Sequence, residues 1–142
     1  MKKSFKIVLV VILVIALGGF SIWKFVWNKD HRTAEDEKPI ATLSAAALLT
    51  EYETDEAASN AKYLNKTVQV GGTVNSVTKE ETGSIVVLLT TESMMGFVSC
   101  TFSSVNGKPS EVDVKEGDQI NVKGICSGYT MDVVLEQCSI VK

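Results

Sequence analysis

Across the first 27 residues, "MKKSFKIVLVVILVIALGGFSIWKFVW", apolar side chains run almost unbroken from position 7 to position 23. The run has no polar face, and about 20 such residues can cross a hydrocarbon core of ~30 Å as a helix. The pattern then dissolves into mixed charge, "NKDHRTAEDEKP", which predicts a solvated tether over residues 28–43. A helical stripe follows. Ser44 is placed to cap a helix over residues 45–53, with Leu48, Leu49 and Tyr52 on one face. Thr54, followed by Asp55 and Glu56, predicts a second helix start with acids in its first turn. Ala57, Ala58, Ala61 and Leu64 then form a small-residue face suited to close packing on a sheet.

From Thr67 the apolar period changes to two. Val68, Val70 and Val74 alternate, and Val77 falls out of phase, which predicts a bulge beside Gly71 and Gly72 that lets one long strand bend. "SIVVLL" is a continuous apolar strand, and Val98, Cys100 and Phe102 share one face of the next. After the polar stretch "SVNGKPSEVDV", a Gly-Asp turn leads into Ile120 and Val122, with Cys126 in phase. "SGYT" reads as a hairpin tip, and "MDVVLEQCSIV" as the last strand. Five strands with a long bent first member predict an α+β fold: an N-terminal transmembrane helix, a short helical lead-in and a five-stranded OB-type β-barrel. An open sheet of short hairpin strands is the alternative. The domains expected are a membrane anchor at 1–27, a charged linker at 28–43, and the lead-in with its barrel at 44–142.

Charge sharpens this picture. All 17 acidic residues lie after Trp27, whereas Lys2, Lys3, Lys6 and Lys24 lie before it, so 10 basic side chains face 17 acidic ones from Asn28 onward. Lys2, Lys3 and Lys6 ahead of the apolar run keep that end cytoplasmic and send the remainder across the membrane. Trp23 and Trp27 suit the far interface. A cleaved signal peptide, with Ala16 and Gly18 at the processing site, is the competing reading. The segment contains no cysteine to carry a lipid. The expected location is therefore the cell membrane, single-pass, with the C-terminal domain periplasmic or extracellular.

"LLTEYETDEAASNAKYLNKTVQVGGTVNSV" and "GDQINVKGICSGYTMDVVLEQCSIV" together resemble the bacterial OB-fold lipoprotein family called tRNA-anti-like. The resemblance rests on Tyr52, Glu56, Ala57, Lys62, Tyr63, Lys66 and Gly72 in the first stretch, and on Gly117, Asp118, Gly124, Cys126, Gly128, Asp132 and Cys138 in the second. It covers residues 44–141. It implies an OB barrel, an envelope location and no enzyme chemistry, and this chain departs from it in having no lipid-attachment cysteine.

Candidate chemistry is sparse. Cys100, Cys126 and Cys138 fall in strands on the translocated side, where a disulfide can persist. With the tip near 128–130, Cys126 and Cys138 stand roughly 15 Å apart at ~3.3 Å per residue, too far to bridge. Cys100 and Cys138 lie on neighbouring strands of an OB barrel and are the candidate pair; three small buried hydrophobes are the alternative. His31, the single histidine, lies in the linker without ligands around it. Glu80 with Glu81, and Asp113 with Glu116 and Asp118, fall in turns and read as solvated surface. No catalytic motif, metal set or cofactor loop is present in the sequence, so an enzyme is not expected and neither metal nor cofactor is.

Excess acid and the lack of an aromatic on the second strand argue against nucleic acid. The binding residues expected are a loop rim of Met94, Met95, Phe97, Tyr129 and Met131, adaptable side chains that suit an envelope protein or glycan partner. A structural or assembly protein working through its acidic helices is the alternative.

Overall fold

The computed structural model describes residues 7–8, 11–12, 14–16, 18–19, 34–91, 96–104 and 110–142. The chain divides into two units, Met1–Arg32 and Thr33–Lys142. In the first unit the described residues are helical, and Ile7, Val8, Val11, Ile12, Val14 and Ile15 are exposed. Among the described residues no helix is long and apolar enough to cross a membrane. Most of the span expected over 1–27 lies outside the described residues, as do His31, Met94 and Met95.

The second unit contains β1 (Thr42–Ser44), α1 (Ala45–Thr54), α2 (Glu56–Tyr63), β2 (Thr67–Lys79), β3 (Ile85–Leu89), β4 (Val98–Phe102), β5 (Gln119–Tyr129) and β6 (Val133–Val141). Strands β2 to β6 close on themselves in the order β2-β3-β4-β6-β5, with β5 returning to β2. Strands β4 and β6 run parallel, from Val98 opposite Val133 to Cys100 opposite Leu135, which is the closure of an OB-type barrel. Strand β1 lies parallel to β2, with Thr42 opposite Gln69. It covers the edge of β2 that β3 does not reach, and at three residues it is too short for a period to reveal.

Strand β2 serves both sides of the barrel. Its first half pairs with β5, from Thr67 opposite Ile125 to Thr73 opposite Gln119. Its second half pairs with β3, and the register shifts between Val74 and Ser76. The bulge is thus at Asn75, not beside the glycines. Those glycines answer to close approach instead. A Cβ on Gly71 would stand 2.7 Å from Asn121 Oδ1, and one on Gly72 would stand 3.2 Å from Ala45 Cβ and 3.3 Å from Leu89 Cβ.

Helix α1 closes one barrel end. Ser44 caps it, its Oγ accepting from Ala47 N–H at 3.1 Å, and Ala45, Leu48, Leu49 and Tyr52 face the core. The second cap is Asp55 rather than Thr54: Ala58 N–H donates to Asp55 Oδ1 at 2.9 Å, while Thr54 Oγ1 donates back to Thr50 O within α1. A carboxylate at this position also answers the helix dipole, which a hydroxyl does not. Against expectation Ala57, Ala58, Ala61 and Leu64 are exposed, and Ser59 and Tyr63, on the opposite side of the helix at about 100° per residue, form the buried side of α2.

The charged stretch expected to be a free tether is laid on the barrel from Ala34 onward. Ala34 is fully buried, Lys123 Nζ donates to Glu35 O at 2.7 Å, and Thr67 Oγ1 donates to Glu37. Composition alone marks such a segment as solvated, because its anchoring groups are mostly backbone groups, with one alanine and the carboxylate of Glu37. The β5–β6 tip also differs from expectation. Strand β5 continues through Tyr129, the turn is at 130–132, and Gly128, at φ +123°, belongs to a bulge inside the strand. Cys126 therefore faces Leu135.

Candidate functional site

The barrel interior is filled and apolar. Ile85, Val87 and Leu89 of β3, Val98, Cys100 and Phe102 of β4, and Val133 and Leu135 of β6 are all buried. Alternation then sends Val86, Leu88, Ser99, Thr101 and Val134 outward, each partly exposed. Register aligns Leu88 with Ser99 and Ser99 with Val134, while Val86 stands opposite Thr101. Phe97, on the same phase as Ser99, extends this face toward the β5–β6 turn.

That turn is tied to the end of β4. Phe97 N–H donates to Asp132 Oδ1 at 2.8 Å, and Val133 N–H donates to Phe97 O at 3.1 Å. Met131 is 73% exposed beside it. Of the rim expected from sequence, Phe97 and Met131 are brought together at one end of the barrel. Tyr129 is partly buried: its ring stacks on Tyr52 with centroids 5.6 Å apart, so it belongs to the seat of α1. Gly96 lies here too, and a Cβ on it would meet Met131 O at 2.9 Å and Leu49 Cδ2 at 3.0 Å.

Tyr52 is the centre of that seat. It is fully buried, its hydroxyl lies 3.1 Å from Cys126 Sγ, and Tyr63 tilts against it with centroids 6.3 Å apart. Burial, then the contact with Cys126, pushes the Tyr52 phenol well above its ordinary value, so it stays neutral. The helices are clasped from outside by Glu51. Its Oε2 accepts from Lys62 Nζ and from Tyr63 OH, both at 2.8 Å, and the Lys62 ammonium lies 4.7 Å over the Tyr63 ring. The Lys-Tyr pair noted in the sequence thus joins α2 to α1.

Lys62, then Tyr63, holds the Glu51 carboxyl below the usual carboxylate range. A carboxyl depressed in the folded state adds stability above its unfolded pKa and loses it as pH falls through the folded value. Glu51→Gln should therefore lower the melting temperature by no more than a few degrees at pH 7, since the pair is exposed. The gap from wild type should close below about pH 4; thermal melts of both proteins across pH 3–8 measure it.

At the opposite barrel end lies a cavity of about 1110 Å³, lined in part by Phe102, Ser110, Ile120, Cys138 and Ile140. Glu35, Glu111, Asp113 and Asp118 border it, with Lys142 as its cation. This border repels phosphate. Asp118 has a local task, its Oδ2 accepting from Lys115 N–H at 2.9 Å in the turn at Gly117, where φ is +90°. Among the described residues no group of three His, Cys, Asp or Glu side chains is arranged to hold a metal ion.

The three cysteines are free thiols. Cys126 Sγ lies 3.1 Å from the Tyr52 hydroxyl, whereas Cys138 Sγ donates to Leu135 O at 3.4 Å. Sequence reasoning missed the outer face of β3, β4 and β6; its signal was the alternation it had used only to locate the core.

No curated protein matches this chain. Among solved structures, a "putative nucleic acid-binding lipoprotein" from Klebsiella pneumoniae superposes with a TM-score of 0.59 at 17% identity, covering 70% of this chain and 91% of that one. A "putative aspartyl-tRNA synthetase" from Leishmania major superposes with a TM-score of 0.44 at 14% identity, covering 68% of this chain and 26% of that one. The first likeness bears on the fold, and it agrees with the strand order described above. Residues 1–140 match the family pattern named tRNA_anti-like, and the chain belongs to that family.

Proposed function

We propose that this protein is a non-catalytic binding module, tethered to the membrane by its N-terminal segment and displayed outside the cytoplasm, that takes a protein partner on the outer face of β3, β4 and β6. The character of that face carries the reading. Val86, Leu88, Phe97, Ser99, Thr101 and Val134 are uncharged and partly exposed, in a region where 17 acids face 10 bases. An uncharged patch is desolvated at little cost, and its hydroxyls can hydrogen-bond a partner. Met131 extends the patch with an adaptable side chain.

The tether is supported by the apolar run over 1–27 and by the exposed apolar side chains on its described helical residues. Its orientation is supported by Lys2, Lys3 and Lys6 ahead of the run.

A glycan is served less well, because sugar faces stack on exposed aromatic rings and Tyr129 is engaged by Tyr52. The Klebsiella protein is described as nucleic acid-binding. Here Phe97 is the single aromatic among the described residues of this face, one ring where a stacking platform needs several, and the surrounding charge opposes phosphate. A photo-crosslinker at Leu88 of the full-length protein, expressed in its own cells, tests the reading. The expected product is one discrete protein adduct that disappears in Val134→Glu, a variant whose melting temperature should match wild type. A nuclease-sensitive adduct, or no adduct, overturns it. Loss of the adduct on charge reversal of Glu53 and Glu56, with Val134→Glu silent, would point instead to an assembly role for the helices.

A further inference from the structure

The seam between β4 and β6 is closed over only part of its length. Parallel pairing sets Val98 to Cys100 against Val133 to Leu135 and then stops. Beyond it Gln137 takes a left-handed φ of 51°, which breaks the regular path of β6. The strand then resumes against β5, with Ser139 opposite Lys123 and Val141 opposite Asn121. Among the described residues no strand pairs with Ser139–Val141 on the side away from β5, so β6 finishes as a free edge. Such an edge presents backbone N–H and C=O groups to an incoming chain.

The cavity of about 1110 Å³ runs along this edge, since Phe102 and Ser103 at the end of β4 line it together with Ser139 and Ile140 of β6. Ordinary small-molecule sites occupy about 300–1,000 Å³, so this one has room for a longer ligand. Phe102, Ile120 and Ile140 give it an apolar lining, and Ser139 Oγ is buried there without a hydrogen-bond partner. Glu35, Glu111 and Asp113 stand at its border, and no described side chain pairs with their carboxylates. Lys142 is the one cation among the described lining residues.

We propose that this opening is a second binding site, which takes an extended basic segment of a protein partner as an added strand on β6. The free edge supplies main-chain hydrogen bonds, and alternate side chains of the added strand give the specificity. Apolar residues turn inward onto Phe102, Ile120 and Ile140, while lysines or arginines between them reach the border carboxylates. A free polyamine answers the carboxylates but leaves the edge and the apolar lining unused. The site is separate from the outer face of β3, β4 and β6 and does not rest on that reading.

The test measures fluorescence anisotropy of a short labelled peptide of alternating lysine and valine, titrated with the full-length protein in detergent micelles. The expected result is saturable one-to-one binding that weakens as salt is raised. N-methylating one alternate set of peptide amides should abolish binding and N-methylating the other set should spare it, because an added strand pairs along a single edge. Reversing two border charges together, Glu111→Lys with Asp113→Lys, should weaken binding by about tenfold. Both side chains are exposed, and an unchanged melting temperature verifies that the variant is folded.

The proposal is overturned by absent or non-saturable binding, by equal binding of a glutamate–valine peptide, or by indifference to N-methylation of either set. Spermidine that displaces the labelled peptide as well as unlabelled peptide does would reduce the site to a cation trap and overturn it too. None of these outcomes touches the outer-face reading, which the crosslinker at Leu88 tests separately.

Discussion

Tyr52→Ala should cost about 3–5 kcal/mol, the range for removing a large buried aromatic side chain. Against a typical total of about 5–15 kcal/mol, this brings the barrel close to unfolding. The ring is fully buried beneath α1, between Tyr63 and Tyr129, and few neighbours can collapse into its place. Tyr52→Phe keeps the ring and loses the contact between the hydroxyl and Cys126 Sγ, so its cost should be about 1 kcal/mol. Urea unfolding of both variants measures the two values. A cost below about 1.5 kcal/mol for Tyr52→Ala would mean that α1 does not plug the barrel.

Gly124→Ala should destabilise by about 1–3 kcal/mol, the range for overpacking. In an ordinary strand interior the same change is favourable by roughly 0.5–1 kcal/mol, because alanine has less backbone freedom to lose. Here the sign reverses. The new methyl would stand 2.7 Å from Cys138 Sγ and 2.9 Å from Leu135 Cβ, both in the strand that pairs with β5. Adding Cys138→Ala should recover part of the loss, and the two changes should be non-additive in a double-mutant cycle. Additive costs, or a stabilising Gly124→Ala, would show that the packing between β5 and β6 at Gly124 is looser than its geometry indicates.

Much of this was legible in the chain. Leu48, Leu49 and Tyr52 are buried as their helical spacing predicts, and Val98, Cys100 and Phe102 share the inner face of β4 as their alternation predicts. These signals are local, arising from the periods of helix and strand. The second helix was harder, because Thr54 and Asp55 are both good caps. Which one acts depends on whether α1 or α2 claims Thr54, and the buried face is Ser59 and Tyr63 rather than the alanines because Tyr63 packs on Tyr52 and donates to Glu51 of α1. Of the expected rim, Met94 and Met95 lie outside the described residues, the Phe97 backbone is tied to Asp132 beside Met131, and Tyr129 stacks on a tyrosine 77 positions earlier in the chain.

The sequence by itself determined the inward faces of α1 and β4, where α1 begins, the bent strand β2 and the family to which the chain belongs. Periodicity, capping and turn chemistry act over a few residues and leave their marks in order along the chain. Only the tertiary structure decided that residues 34–43 lie on the barrel, that Gly72 and Gly124 are contact points, that the bulge is at Asn75, and that Cys138 packs against Gly124 of the neighbouring strand. Each of these depends on groups brought together by barrel closure from positions far apart in the chain, and no local pattern records such distances.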